Sequence, residues 1–125
     1  MCNVFVDTSS ILYGFENGKN VFRSIAEQFP GCKPYVSKGI IRELTKISNN
    51  KGKKGVSAKV SLAEIKAARI GIYKSNASGD AWLLSLRLSN ECCKVITNDS
   101  VLAKKLKSLG ANVLKLNKNG ILRHI

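Results

Sequence analysis

Acidic side chains are scarce in this chain of 125 residues. Eight aspartates and glutamates stand against 21 lysines and arginines, which gives a formal net charge of +13. Such an excess of positive charge on a small protein attracts polyanions, and nucleic acid is the commonest of them. A lysine-rich solubility coat, a membrane-surface partner or an acidic protein partner would give the same composition. The charge therefore favours nucleic acid without excluding these alternatives.

Long apolar segments are missing as well. No run approaches the roughly 20 residues that a membrane-spanning helix needs. The first residues lack the basic region, apolar stretch and cleavage site of a signal peptide. Hydrophobic residues nevertheless make up 44% of the chain, which is too high for a disordered protein. We therefore expect a single domain over residues 1–125, a cytoplasmic location and no membrane partner.

Soft metal ligands are few. The single histidine is His124, and the four cysteines, Cys2, Cys32, Cys92 and Cys93, do not have the spacing of a zinc site. The neighbouring pair Cys92 and Cys93 is not a Cys-x-x-Cys motif. We expect reduced thiols in an intracellular protein and no metal–thiolate centre.

The first apolar segment, residues 2–6, gives the strongest structural signal. It runs directly into Asp7, and hydroxyl residues follow. A continuous apolar run is typical of a strand that is buried on both faces of a parallel sheet. Ser9 and Ser10 predict a hydroxyl cap for the helix that comes next. Asp7 should then lie at the carboxyl end of a central strand, where open α/β sheets bind ligands.

The rest of the chain alternates between helix and strand patterns. Apolar segments predict strands at 34–36, 93–97 and 112–116, with 70–73 extended, and the segments between them have helical spacing. Asn20, Ser37 and Ser78 are predicted to cap the helices that follow them, and Leu88 is predicted to pack inward from the last of these. Asn49 to Gly55 is predicted to be a loop. A capping box, Ser61-x-x-Glu64, marks the next helix, with Ser57 as an earlier possible start. This alternation predicts an α/β fold with a mostly parallel sheet and helices on both sides.

The only three aspartates, Asp7, Asp80 and Asp99, all lie at predicted strand ends or helix starts. A helix-capping role explains any one of them. If they meet at one sheet edge together with Glu43, however, their charges repel and raise one another's pKa. A divalent cation removes that conflict, and carboxylate oxygens suit Mg²⁺ or Mn²⁺.

Four sequence contexts surround these acids: Val-Phe-Val-Asp7-Thr-Ser, Ile-Ile-Arg-Glu43-Leu, Ser-Gly-Asp80-Ala-Trp-Leu-Leu and Val-Ile-Thr-Asn-Asp99-Ser-Val-Leu. In order and spacing they resemble the PIN-domain nuclease family, over essentially the whole chain. The resemblance implies a three-layer α/β/α sandwich and a divalent-metal-dependent endoribonuclease. It implies that the four acids are both catalytic and metal-binding. It further implies supporting hydroxyls, at Thr8, Ser9 and Thr97.

The same resemblance implies a mechanism. The aspartates would hold one or two Mg²⁺ or Mn²⁺ ions, and Glu43 would bind metal or orient the attacking water. A bound metal ion lowers the pKa of that water and stabilises charge on the phosphate. The expected products are a 5′-phosphate and a 3′-hydroxyl. Candidate contacts to RNA phosphates are the basic residues Arg42, Lys46, Lys51, Lys53, Lys54, Lys104 and Lys105.

Two branches of the family differ in their partners. The strand before Glu43, the basic loop after it and the lysine-rich helix after Asp99 look more like proteins of ribosomal RNA processing and related single-domain archaeal proteins. That branch implies pre-rRNA as substrate and a ribosome-assembly partner. The other branch, the toxins of VapBC-type toxin–antitoxin pairs, implies an antitoxin partner. Either branch allows a monomer or a homodimer.

Other readings of the sequence compete with a nuclease. A phosphatase of the haloacid-dehalogenase type needs a second aspartate where Ser9 stands, and a receiver domain needs paired acids that are absent. A non-catalytic RNA-binding module, whose acids only cap helices, remains open. Tyr13, Phe15 and Trp82 are candidates for base stacking, although Phe15 and Trp82 lie in apolar stripes typical of a core.

Overall fold

The computed structural model describes residues 2–86 and 93–125. These residues form six strands and six helices, in the order β1 (Cys2–Val6), α1 (Thr8–Glu16), α2 (Val21–Gln28), β2 (Cys32–Ser37), α3 (Lys38–Ser48), α4 (Lys53–Ala67), β3 (Gly71–Tyr73), α5 (Gly79–Ser85), β4 (Cys93–Ile96), α6 (Ser100–Ser108), β5 (Asn112–Leu116) and β6 (Leu122–His124).

The strands form one sheet in the order β3-β2-β1-β4-β5-β6. The first five strands run parallel, and β6 pairs antiparallel with β5. The predicted α/β class and mostly parallel sheet are therefore confirmed. Because β1 is central and pairs with β4, the residues that follow these two strands lie side by side at the carboxyl edge of the sheet.

The core explains why the strand sequences have no polar face. Central positions of the sheet are almost inaccessible to solvent, among them Val4, Val6, Val36, Val95 and Ile96. Helices pack on the sheet through apolar stripes, such as Ile40 and Leu44 of α3. Fully burying one such side chain stabilises the fold by about 1.5–3 kcal/mol. The many buried side chains make the centre of the sheet rigid, and this rigid centre holds the carboxyl edge in place.

Trp82 of α5 is 1% exposed and packs edge to face against Phe5 of β1, with an angle of 75° between the rings. It belongs to the core, as its apolar stripe indicated. Tyr13 and Phe15 of α1 are half-buried.

Helix starts follow the predicted capping chemistry in α2, α3 and α5. The Asn20 side chain accepts the N–H groups of Phe22 and Arg23. The Ser37 hydroxyl accepts the N–H of Ile40, and that of Ser78 accepts the N–H of Ala81.

The start of α4 was predicted wrongly. The helix begins at Lys53, so Lys53 to Gly55 belong to it rather than to the loop, and Ser61 lies in its middle. Gly52, with φ of +88°, takes the position before the helix. The buried Gly55 approaches the Asn50 carbonyl so closely that a Cβ there would meet its oxygen at 1.9 Å. This tight turn between α3 and α4 gives no hydrophobic signal, which is why the capping box was misleading.

The expectation of reduced cysteines is also wrong for two of the four. Cys2 and Cys32, the first residues of the neighbouring strands β1 and β2, form a disulfide. Their register places the two Cα atoms 4.5 Å apart, a distance that fits a disulfide. The pairing depends on strand register and has no local sequence signal. Cys93 is a free thiol.

Cys92, and Leu88, which was predicted to pack inward from α5, lie outside the described residues. In the described part of the chain, no helix combines the length and the apolar character that crossing a membrane requires.

Candidate active site

Asp7 follows β1 directly and is only 6% exposed. Its Oδ2 atom accepts hydrogen bonds from the hydroxyls of Ser9, at 2.5 Å, and Thr97, at 2.9 Å. Asp7 occupies the N-cap position of α1, but its side chain makes no capping hydrogen bond. The predicted cap at Ser9 and Ser10 is therefore wrong, because these residues lie inside the helix and their hydroxyls face the sheet edge.

Burial raises the pKa of the Asp7 carboxyl above its usual range. The hydroxyls of Ser9 and Thr97 counteract this by stabilising the carboxylate, and the negative charge of nearby Asp80 raises the pKa further. The donors on Asp7 are thus neutral and its charged neighbour is another acid. This is an environment in which a bound cation would stabilise the ionised form.

Glu43 reaches the same edge from the middle of α3. Its Oε2 atom accepts a hydrogen bond from the Thr8 hydroxyl at 3.1 Å, and its Oε1 atom accepts the Gly79 N–H at 2.7 Å. Thr8 is next to Asp7 in sequence, and Gly79 begins α5. Glu43 thereby links the starts of α1 and α5.

Gly79 marks the point where Asp7 and Glu43 converge. A Cβ placed on this residue would lie 2.7 Å from Asp7 Oδ1 and 3.7 Å from Glu43 Oε1. The absence of a side chain therefore allows the two carboxylates to approach the same backbone position, next to Ile40. Asp80 comes next in the chain, in the first turn of α5, and is exposed.

Asp99 follows the end of β4 and is linked to Asp7 through its backbone N–H and the Thr97 hydroxyl. Its N–H donates to the Thr97 hydroxyl at 3.1 Å, the same hydroxyl that contacts Asp7. Its own Oδ1 atom accepts the N–H groups of Val101 and Leu102 and so caps α6. The capping role that the sequence allowed for each aspartate is therefore real for Asp99, which is exposed.

Asn98 and Ser10 were not identified from the sequence. The Asn98 Oδ1 atom accepts the Ser10 hydroxyl at 2.7 Å and the Leu116 N–H at 3.2 Å, and its Nδ2 donates to the Leu116 carbonyl at 2.9 Å. The Asn98 N–H donates to the Ser9 hydroxyl at 3.0 Å. These bonds fix the ends of β1, β4 and β5 to one another. The sequence did contain a signal for Asn98, because this residue stands between two candidate site residues, Thr97 and Asp99.

The donor set fits a hard divalent cation, because its atoms are carboxylate and hydroxyl oxygens. Within residues 2–86 and 93–125, however, no three acidic, histidine or cysteine side chains are close enough to form a ready metal-binding group. Asp7 and Glu43 are held in place, whereas Asp80 and Asp99 are exposed. Metal binding by all four would therefore require Asp80 and Asp99 to turn inward.

The predicted RNA-binding residues fall into separate groups. Lys53 and Lys54 line a cavity of about 360 Å³ with Phe15 and Glu16, at the end of α1 that is about 12 Å from Asp7 by helix rise. Arg42 is exposed beside Glu43 and donates to the Asn76 side chain. Lys46 and Lys51 are also exposed, as are Lys104 and Lys105 of α6. Of these lysines, Lys104 lines a cavity together with Asp99.

Several solved structures resemble this one, among them the following two. The PIN domain endonuclease Utp24 matches with a TM-score of 0.77 and 20% sequence identity, over 98% of this chain and 90% of that one. A domain of a functionally unknown protein from Methanocaldococcus jannaschii DSM 2661 matches with a TM-score of 0.67 and 16% identity, over 94% and 92%. These matches confirm the three-layer α/β/α architecture.

No curated protein matches the chain in sequence. The profile of the family described as PIN like domain, in contrast, matches residues 4–119. This span contains all four acids of the candidate site. The resemblance to the PIN-domain family that their sequence contexts indicated is therefore confirmed. The chain belongs to the PIN-like domain family.

Proposed function

We propose that this protein is a divalent-metal-dependent endoribonuclease with Asp7, Glu43, Asp80 and Asp99 as its catalytic and metal-binding residues. The observation that carries the proposal is the convergence of Asp7, which is buried, and Glu43, which is half-buried, on Gly79. Membership of the PIN-like family supports nuclease chemistry, and the likeness to a PIN domain endonuclease supports cleavage within a strand.

Mg²⁺ or Mn²⁺, when bound, would supply a water molecule of lowered pKa and would stabilise charge on the phosphate. Asp7 and Glu43 would hold the ion, with Asp80 and Asp99 turning toward it. Ser9, Thr97 and Thr8 position the first two carboxylates through their hydroxyls. Because Asp7 is buried and has a raised pKa, its ionised form gains more from a cation than an exposed aspartate would.

RNA is the proposed substrate because a net charge of +13 favours a polyanion. Within RNA metabolism we propose ribosomal RNA processing, with pre-rRNA as substrate, a ribosome-assembly partner and a cytoplasmic location. The support is the sequence around Glu43 and the lysine-rich helix after Asp99. The alternative is a toxin ribonuclease of a toxin–antitoxin pair. An adjacent gene for a small antitoxin-like protein would favour the toxin, and its absence would favour RNA processing.

Cleavage of a labelled single-stranded RNA in Mg²⁺ or Mn²⁺ tests the nuclease assignment, with EDTA as the metal-free control. Asp7→Asn should abolish cleavage while leaving the thermal unfolding transition cooperative. Glu16→Gln is the matched control, since it removes one carboxylate at the opposite end of α1, at an exposed position. It should cleave like the wild type.

Tight RNA binding by the wild type without cleavage in either metal would contradict the nuclease assignment for single-stranded RNA. It would favour a non-catalytic RNA-binding module. A module of this kind also predicts that Asp7→Asn binds RNA as tightly as the wild type or more tightly. Metal-dependent cleavage that survives in Asp7→Asn would contradict the role given to Asp7.

A further inference from the structure

A cavity of about 160 Å³ lies next to the candidate active site, between the end of β4, the start of α6 and β5. Thr97 and Asp99 line it from the active-site side, and Lys104 and Lys115 line it from α6 and β5. The cavity is thus continuous with the carboxylate edge of the sheet, although its two basic residues are 11 positions apart in the chain.

A third basic residue pairs with Lys115 across the β5–β6 ladder. Arg123 of β6 is directly opposite Lys115 of β5 in the antiparallel register. Residues opposite one another in such a ladder project from the same face of the sheet, and like charges placed this way destabilise the pair. Both side chains are exposed. An anion between them would convert this repulsion into attraction.

Among the side chains that line the cavity, the acidic one is Asp99, whose Oδ1 already accepts two N–H groups of α6. The remaining lining includes Ala103 and Ile125, which are apolar. The cavity therefore brings two lysines next to Asp99, at the edge of the candidate active site.

The size of the cavity restricts what it can hold. Each water molecule occupies about 30 Å³ in the liquid, so the cavity has room for about five. This space is sufficient for one phosphate group and insufficient for a whole nucleotide. A single phosphate of a longer chain therefore fits the cavity, with the attached sugars and bases outside.

We propose that Lys104, Lys115 and Arg123 form a phosphate-binding subsite that holds the RNA backbone beside the scissile bond, on the Asp99 side of the active site. This inference rests on the proposed ribonuclease function, which it extends by defining where the substrate strand enters. Lys115 and Arg123 are new to the substrate-binding set. The strand would run along the α6–β5–β6 face and not past Lys53 and Lys54, which line a separate cavity at the far end of α1.

Fluorescence anisotropy of a short labelled single-stranded RNA, measured in EDTA so that no cleavage occurs, tests the subsite. The variant is Lys104→Gln with Lys115→Gln. The control is Lys59→Gln with Lys66→Gln, which removes the same two charges from exposed positions of α4. Each phosphate contact to a single strand contributes about 0.7 to the slope of log affinity against log salt concentration. The subsite variant should therefore lose about 1.4 from this slope and bind roughly tenfold more weakly.

Equal affinities and equal slopes for the subsite variant and the control variant would overturn the proposal. The overall positive charge of the protein would then be sufficient to explain RNA binding. The melting temperature shows separately whether the subsite variant is misfolded. Lys115→Gln removes a like-charge neighbour of Arg123, so the melting temperature of the subsite variant should stay the same or rise. A weaker binder with a lowered melting temperature would count against the subsite.

Failure of the subsite and failure of the nuclease assignment are distinguishable in the same preparation. If the wild type cleaves RNA with metal but the two double variants bind alike, the subsite is refuted and the nuclease stands. If the wild type never cleaves but the subsite variant alone loses affinity and slope, RNA binding at this face stands and catalysis is refuted.

Discussion

Thr97 shows how much of the candidate site depends on one uncharged atom. Its buried hydroxyl donates to Asp7 at 2.9 Å and accepts the Asp99 N–H at 3.1 Å. It therefore connects the acids that follow β1 and β4. A hydrogen bond to a charged group contributes about 1.5–3 kcal/mol, and a tenfold rate change corresponds to about 1.4 kcal/mol.

Replacing Thr97 by valine keeps its shape and removes the hydroxyl. If the proposed nuclease activity is correct, Thr97→Val should slow RNA cleavage by roughly tenfold to a hundredfold. Thr97→Ser keeps the hydroxyl and should retain most of the activity. The measurement is the single-turnover cleavage rate in Mg²⁺ for both variants. Equal rates for the valine and serine variants would show that the hydroxyl does not position Asp7.

Glu64 of α4 gives a prediction about pH that is independent of the active site. Burial raises its pKa above the ordinary value of 4.5, although the positive charge of Arg23 and a hydrogen bond with Asn20 partly offset this. The folded state thus binds the Glu64 proton more tightly than the unfolded chain. The associated stability is fully present below the unfolded pKa and is lost as the pH rises through the folded pKa.

Glu64→Gln removes this titration. The melting temperature of the variant minus that of the wild type should therefore be larger at about pH 7 than at about pH 4. Thermal unfolding followed by circular dichroism at both pH values gives the comparison. A difference that shrinks as the pH rises would mean that the Arg23 contact outweighs burial.

At the scale of elements, α3 and the segment before α5 approach each other closely enough to require glycine. A Cβ on Gly39 would lie 1.8 Å from the Ala77 carbonyl oxygen, and the Gly39 N–H donates to the Ser75 carbonyl at 2.9 Å. The same helix carries Glu43, and the segment continues to Gly79, which donates to Glu43. This close packing therefore sets the distance between two of the proposed catalytic elements.

Gly39→Ala should push the two segments apart. We expect a loss of about 1–3 kcal/mol in the free energy of unfolding, the usual cost of overpacking. Gly31→Ala is the matched control, since a Cβ there meets nothing within 4 Å, and it should be nearly neutral. Urea unfolding of both variants measures the difference. Similar stabilities would show that the segment before α5 can move away from α3 at little cost in free energy.

The sequence was sufficient for the elements whose signal is local. Apolar strands, the caps at Asn20, Ser37 and Ser78, and the position of Asp7 at the end of a central strand all follow from residues that are neighbours in the chain. The parallel order of the strands followed from their alternation with helices. Four acids could be proposed because each stands in a characteristic local context.

What the sequence left undetermined depends on register and close approach. The disulfide between Cys2 and Cys32 requires β1 and β2 to begin level with each other. The roles of Gly79 and Asn98 appear only when three strands and two helices have been positioned. The early start of α4 depends on the contact between Gly55 and the Asn50 carbonyl. None of these distances is encoded in a short pattern.

At the scale of the whole molecule, the two ends of the sheet have different roles. The carboxyl ends of β1 and β4 carry two of the four proposed catalytic acids, Asp7 and Asp99, and the amino ends of β1 and β2 carry the disulfide. The buried residues of the strands separate the two ends. Stability and proposed activity are therefore expected to respond independently to changes at the disulfide.

Replacing Cys2 and Cys32 by serine tests this separation. The disulfide closes a loop with a sequence separation of 30, and loops of this size restrict the unfolded chain enough to contribute about 3–4 kcal/mol. The double variant should lose about that amount in urea unfolding, and the oxidised wild type should lose a similar amount when reductant is added. Cys93→Ser, which removes the free thiol, should remain close to the wild type.

At temperatures where the double variant stays folded, its rate of RNA cleavage should match that of the wild type within about twofold, because an entropic constraint on the unfolded chain leaves native geometry unchanged. A large fall in cleavage by the folded double variant would show instead that the disulfide also fixes the carboxyl edge through β1.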